Sequence, residues 1–318
     1  MKTTTTLTTT LKVFFSVCFV LSSALPAFCQ TKKLQNVALL VQDLGNPYYT
    51  QVVHGTEQKA QEYNPAAKVV SLSCNNDLGI QTNQMDDAVG GGANLIVLSA
   101  ADPEGIEPAV KRAKAAGVTV VAVDNGAKGV DATITSNNVQ AGEVAGQYIV
   151  DRLKGRGQVV IVSGISATAV FDRVAGAMKV FQQHPEIKIL SKDQNSLGTR
   201  DGGLRVMTDL LTAFPKIDAV FAINDPAAIG SDLAARQAQR QDCFVVGVDG
   251  SPDAVSALKE PGSLFAATAA QDPFAMAQKA TEIGYEIMNG KIPETKTILI
   301  PVTLVTREDV GKFQGWTR

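Results

Sequence analysis

Histidine is nearly missing from this chain of 318 residues: His54 and His184 are the only two, far apart, and neither has a His or Cys at ligand spacing. A zinc site is thereby left almost without ligands, and both residues read as ordinary helix-surface positions. An excess of charge of either sign is missing too. Lys and Arg number 29 against 31 Asp and Glu, and no basic stripe could neutralise a phosphate backbone, so nucleic acid is a poor partner. What is present excludes disorder and fibre. With 45% hydrophobic residues, 27 Gly and 13 Pro there is ample core material, and the length suits about two domains of roughly 150 residues.

The first thirty residues are foreign in composition to the rest. Lys2 and Lys12 flank a Thr-rich stretch, and Val13 to Leu21 (VFFSVCFVL) is an apolar run too short to span a bilayer. Ala27-Phe28-Cys29 then places small residues at the −3 and −1 positions of a signal-peptidase site. Residues 1–29 are therefore expected to be a signal peptide that sends the chain to the periplasm. Acylation of Cys29 as a lipoprotein would want a small residue before it, where Phe28 stands. The cut removes both Lys2 and Lys12 and leaves a mildly acidic remainder. It also removes Cys18 and Cys29. Cys74 and Cys243 remain, each beside a β-type run in a different half of the chain, and two buried free thiols are expected rather than a disulfide.

From Asn36 onward, short β-branched runs alternate with helix-period segments, the pattern of parallel sheets covered by helices on both faces. The strands of the first half are Asn36–Val41, Lys68–Leu72, Leu95–Leu98 and Val118–Val123, with helices opening at Pro47 and near Ile80–Val89 and Ile106–Ala116. The rhythm restarts with a helix near Ala141–Leu153. Strands follow at Gln158–Val162, Ile187–Leu190, Ala219–Ile223 and Phe244–Val248, with helices near Val174–Gln183, Leu204–Phe214, Ala227–Ala238 and Pro252–Leu258. Phe265–Ala270, a helix Pro273–Asn289 and an extended Thr297–Val305 complete the chain. Gly90-Gly91-Gly92 precedes a strand instead of following one, so it reads as a helix C-cap and not a phosphate cradle.

Ligands of open parallel sheets sit beyond the carboxyl ends of the strands. The residues there are Gln42 to Tyr49 (QDLGNPYY), Asp124 and Asn125, Asn224 and Asp225, Asp249, and Gln271. Short amides, carboxylates and two phenols suit a neutral polyhydroxylated ligand. Ionised Asp accepts from hydroxyls, Asn and Gln do both, and Tyr rings cover the C–H face of a sugar with their OH groups left free to bond. The competing account is helix N-capping, the default for any single Asp or Asn after a strand; six coincident cases and the Tyr48–Tyr49 pair weigh against it. No catalytic constellation appears. Ser163-Gly164-Ile165-Ser166 lacks the second Gly of a nucleophile elbow, no G-x-G-x-x-G follows the first strand, and neither His neighbours a nucleophile, so the chain does not read as an enzyme and needs no cofactor or metal.

The segments NVALLVQDLGNPYYTQVVHGTEQ, VVAVDN, AVFAINDPAAIG, VVGVDGSPDA and AATAAQDPFAMA, in this order, resemble the ribose- and galactose-type periplasmic sugar-binding proteins of ABC importers. The resemblance implies an α/β fold of two Rossmann-like lobes with parallel sheets joined by three crossover strands, the type I periplasmic binding protein. It implies lobes of residues 30–137 with 272–298 and 138–271 with 299–318. By the same resemblance Asn46, Tyr48, Tyr49, Asp124, Asn125, Asn224, Asp249 and Gln271 contact the sugar, together with Phe171 or Arg173, depending on the placement of a one-residue gap. Two departures bear on the ligand: Asn125 stands where ribose-type proteins carry Arg, and Gly198 stands where an aromatic precedes the sixth helix. They favour a pentose or linear polyol other than ribose. The expected role is that of a monomeric carrier that closes around a neutral sugar or polyol and delivers it to an ABC permease in the inner membrane. A receptor for a chemotaxis or sensor-kinase system is the alternative, and an exported α/β enzyme acting on sugars a more distant one.

Overall fold

The first strand, β1 (Asn36–Val41), buries five of its six residues, as a strand covered by helices on both faces must. It pairs in parallel with β2 (Lys68–Ser73) and β3 (Leu95–Leu98). The sheet continues through β4 (Thr119–Val123), β5 (Ala132–Ser136) and β11 (Thr297–Ile300), all parallel, in the order β11-β5-β4-β3-β1-β2. A second sheet repeats this plan with β6 (Gly157–Ser163), β7 (Ile187–Asn195), β8 (Ala219–Ala222), β9 (Phe244–Asp249), β10 (Phe265–Ala270) and β12 (Thr303–Thr306). Its order is β12-β10-β9-β8-β6-β7, parallel except for β12 against β10. This computed structural model describes residues 1–4, 31–313 and 315–316. The expected signal-peptide features, Val13 to Cys29, lie outside the described residues. No helix among the described residues is long and apolar enough to cross a membrane.

Each sheet is sandwiched between two apolar clusters. Leu39, Val97 and Val121 face one side of the first sheet, and Leu40, Ile96 and Val120 the other. Val160, Val220 and Val245 against Ile161, Phe221 and Val246 do the same for the second. The covering helices are α1 (Pro47–Tyr63), α2 (Leu78–Gly90), α3 (Glu107–Ala115) and α9 (Pro273–Met288) on lobe 1. Lobe 2 has α4 (Asn138–Leu153), α5 (Thr168–Phe181), α6 (Arg200–Ala213), α7 (Asp225–Gln237) and α8 (Pro252–Lys259). Neighbouring helices cross on glycine. A Cβ added at Gly142 of α4 would stand 2.0 Å from the Arg173 carbonyl oxygen of α5, and one at Gly230 of α7 would stand 2.0 Å from the Arg200 carbonyl oxygen of α6. Backbones this close admit no side chain between them.

The chain passes between lobes three times: at Asn137, at Gln271–Asp272 and at Pro301–Val302. The extended run expected over Thr297–Val305 is thus two strands in two sheets. Pro301, which has no N–H for a ladder, ends the first, and Val302 donates its N–H to Gln140 Oε1 (3.2 Å) before the second begins. The expected boundary after residue 298 therefore falls inside β11. A further strand absent from the sequence reading is β5, whose alternating Thr and Ser (ATITS) make it only half apolar. Helix α5 starts six residues before the expected Val174, because its N-cap, Ala167, makes no side-chain bond and leaves no signal in the sequence. Gly91 caps α2 with Gly92 at φ +76°, as expected of the triple glycine. Cys74 and Cys243 are buried free thiols in separate lobes.

Candidate ligand-binding cleft

The carboxyl ends of both sheets face one cleft of about 370 Å³, the size class of small-molecule sites. Two carboxylates hold equivalent positions on its opposing walls, Asp124 at the end of β4 and Asp249 at the end of β9. Both have positive φ, 64° and 134°, in a region that costs a non-glycine residue about 1–3 kcal/mol and clusters at functional sites. Both are almost fully buried, at 5% and 4% exposure.

Their surroundings differ. Asp124 accepts from the phenols of Tyr48 (3.2 Å, Oδ1) and Tyr49 (3.0 Å, Oδ2) and from Asn125 Nδ2 (2.7 Å, Oδ2). Burial raises its pKa, while the charge of Arg173 and the bonds from the two phenols act the other way. Burial, and then the charge on Asp124, push both phenols well above the ordinary tyrosine range, so they stay neutral donors. Asp249 accepts from Gln271 Nε2 (2.6 Å) and lies 3.5 Å from the Arg173 guanidinium. Burial lifts it to about 6, opposed first by Arg173. Behind it Asp225, which accepts from Thr268 and the Ser251 N–H, is held well above the carboxylate range by burial and by the charge on Asp249.

The other expected residues gather in the same cleft, with one exception. Asn46 and Asn224 also serve as N-caps, accepting from the N–H groups of Tyr48 (3.0 Å) and Ala227 (3.1 Å), and Asn224 Nδ2 further donates to the Gly198 carbonyl (2.8 Å). Capping thus accounts for part of what these two do. It does not account for Asp124, Asp249 or Gln271, since Ser251 caps α8 and Asp272 caps α9. Asn125 ties the lobes together, its Oδ1 accepting from the Ala169 N–H (3.3 Å) across the cleft. Gln271 Oε1 is buried and has no partner among the described residues.

Phe171 is the exception. It is 56% exposed on α5 and does not line the cleft, whereas Arg173 does and is 5% exposed. Two residues along a helix rotate a side chain by roughly 200°, so only one of the pair can face the cleft. Arg173 is fixed by Nε to Asn138 Oδ1 (2.8 Å) and Nη1 to the Ile223 carbonyl (2.8 Å). The tyrosines also depart from expectation: their rings belong to the lobe 1 core, and the phenol protons are spent on Asp124 and Gln42 instead of being free. Gln42, bonded to Tyr49 and Asn125, and Trp316, near the C-terminus, line the cleft as well. Gln42 sits in the first strand-end loop, where the sequence pattern already pointed. Trp316 follows no strand-end pattern and carries no such signal.

This arrangement, two doubly wound lobes with their strand ends opposed across a cleft, has a match in sequence. The family model of the periplasmic binding protein domain matches residues 37–292. The chain belongs to the periplasmic binding proteins. This binding protein is 33% identical over 288 residues to the ribose import binding protein of Bacillus subtilis, covering 90% of this chain and 92% of that one. It is 27% identical over 280 residues to a xylitol-binding protein of Mycolicibacterium smegmatis, covering 87% of this chain and 74% of the relative. Among solved structures, it superposes with a TM-score of 0.82 on an ABC transporter solute-binding protein from Mycobacterium smegmatis with bound glycerol. That pair is 26% identical over 89% of this binding protein and 98% of the other chain. The expected type I periplasmic fold and the sugar-binding family both stand.

Proposed function

We propose that this binding protein is exported to the periplasm, where it captures a neutral sugar or polyol between its lobes as a monomer and hands it to an ABC permease. A pentose or linear polyol is the favoured ligand. The observation that carries this reading is the acceptor-rich cleft. Asp124 and Asp249 oppose one another with Gln271 Oε1 unpartnered, and Arg173 is the one buried cation lining it among the described residues. Ligand hydroxyls donating to these oxygens would complete them, whereas an anion would meet two carboxylates. Asn46, Asn125 and Asn224 add amide groups to the rim, and the apolar side chains of Ile165, Val170 and Ile223 cover carbon faces. The names of the ribose and xylitol relatives support the same class.

Delivery follows from linkage. A ligand bound to both walls favours their approach by its differential affinity for the closed arrangement, and the permease reads that shape. Titration calorimetry with D-ribose, xylitol, myo-inositol and D-glucose tests the reading. One-site heat is expected with xylitol, and weaker heat or none with ribose; heat with glucose alone would overturn the pentose or polyol preference, and no heat with any of the four would overturn the function.

A further inference from the structure

Beyond β12 the chain does not stay with lobe 2. Phe313 packs against the lobe 2 core, within 3.0 Å of a Cβ built at Gly250, while Trp316 packs against the lobe 1 core. The indole N–H donates to the Gln271 carbonyl at the second crossing (3.2 Å), and the ring stands edge-on to Tyr48 with centroids 5.6 Å apart. Two contacts thus fix the ring in orientation and depth while the residue, partly buried, lines the cleft.

Among the described residues lining the cleft, the other aromatic side chains are Tyr48 and Tyr49. Tyr48 and Tyr49 are 4% and 5% exposed. Phe171 points away, and lobe 2 presents Gly198, at φ +68°, in the loop before α6. A polyhydroxylated ligand has C–H surfaces as well as hydroxyls, and an indole whose N–H is already satisfied is an apolar plane that offers the ligand no competing polar group. We propose that Trp316 is a specificity-determining residue of this site, a ring supplied by the C-terminal tail against which the carbon face of the ligand packs. The proposal rests on the reading of the cleft as a sugar or polyol site.

Trp316 is the chain's one tryptophan, so its emission reports on the cleft without labelling. The experiment pairs calorimetry and tryptophan fluorescence on the wild type with calorimetry on Trp316→Leu and Trp316→Phe, using D-ribose, xylitol, myo-inositol and D-glucose as probes. For whichever probe binds, wild-type emission should shift or change intensity at saturation. Trp316→Leu, which keeps apolar bulk and loses the ring, should weaken binding about three- to tenfold, and Trp316→Phe should stay within about threefold. Wild-type binding with unmoved emission, or Trp316→Leu binding as tightly as wild type, overturns the proposal. Emission keeps it falsifiable should the Leu variant fail to fold. Absence of binding by the wild type to all four probes overturns the functional reading itself and this proposal with it.

Discussion

Arg173 faces Asp249 at 3.5 Å with both side chains out of water. At an effective dielectric constant of about 20, opposite unit charges at that distance attract by about 5 kcal/mol, against which desolvation of both must be set. Removing one partner leaves the other's desolvation uncompensated, which in buried pairs costs about 3–5 kcal/mol. Arg173→Met keeps most of the side chain's volume and deletes the charge, so at pH 7.5 it should lower the unfolding free energy by about that much. The cost depends on pH in a defined direction. With Asp249 lifted to about 6, the wild type is ionised there at pH 7.5 and largely protonated at pH 5. At pH 5 the attraction to Asp249 is largely gone, and the substitution should cost chiefly the bonds to Asn138 and the Ile223 carbonyl, about 1–3 kcal/mol. Urea unfolding at both pH values measures this, and adding Asp249→Asn to the variant should recover part of the loss at pH 7.5. A loss below about 1 kcal/mol at pH 7.5, or one that does not shrink at pH 5, refutes the assignment of Arg173 as the counter-charge of the cleft.

Asp124→Asn keeps shape and tolerates the φ of 64°, so the fold should persist while affinity for the probe that binds falls about ten- to hundredfold by calorimetry; unchanged affinity removes Asp124 from the site. Gly142→Ala drives a methyl to 2.0 Å from the Arg173 carbonyl oxygen. It should cost about 1–3 kcal/mol by forcing α4 and α5 apart, and a wild-type melting temperature would contradict the close crossing. Because its carboxyl is raised by burial, folded Asp249 holds its proton to higher pH than the unfolded chain does. Its contribution to stability is fully present below the ordinary aspartate range, falls as pH rises toward about 6, and is flat above. The stability of the wild type relative to Asp249→Asn should decline across that window, and a difference constant from pH 4 to 7 would show that Asp249 is not perturbed.

Most of the site was legible because strand-end polar residues are local in sequence: Asp124 and Asp249 each follow a Val-rich run, and the topology alone brings them together. What escaped depends on contacts between distant segments. Nothing local in SATAVFDRVAG says which face of α5 meets the cleft; that is set by the packing of α4 against α5 through Gly142 and Gly176, which orients Arg173 inward and Phe171 outward. The tyrosine hydroxyls looked free because their acceptor, Asp124, lies about 75 positions away. Strand β5 was missed because its outward residues are Thr rather than Val. Trp316 was invisible for a different reason: a single aromatic in an irregular tail has no period to read, and its meaning arises only where the tail returns to lobe 1.

The third crossing has neighbours on both sides of Pro301. Ile300 pairs with Ser136 at the end of the first crossing strand, Thr303 pairs with Ala270 at the end of the second, and the Asn137 N–H donates to the Ile300 carbonyl (2.7 Å). The lobes are therefore joined by three side-by-side strips laced at their edges, which is the construction of a leaf flexure. Such an element bends readily about the axis running across the strips, but twisting or shearing it stretches one strip against the next. The closure proposed above would then reduce to a single coordinate, and one pair of distance labels, one on each lip of the cleft, would suffice to follow it.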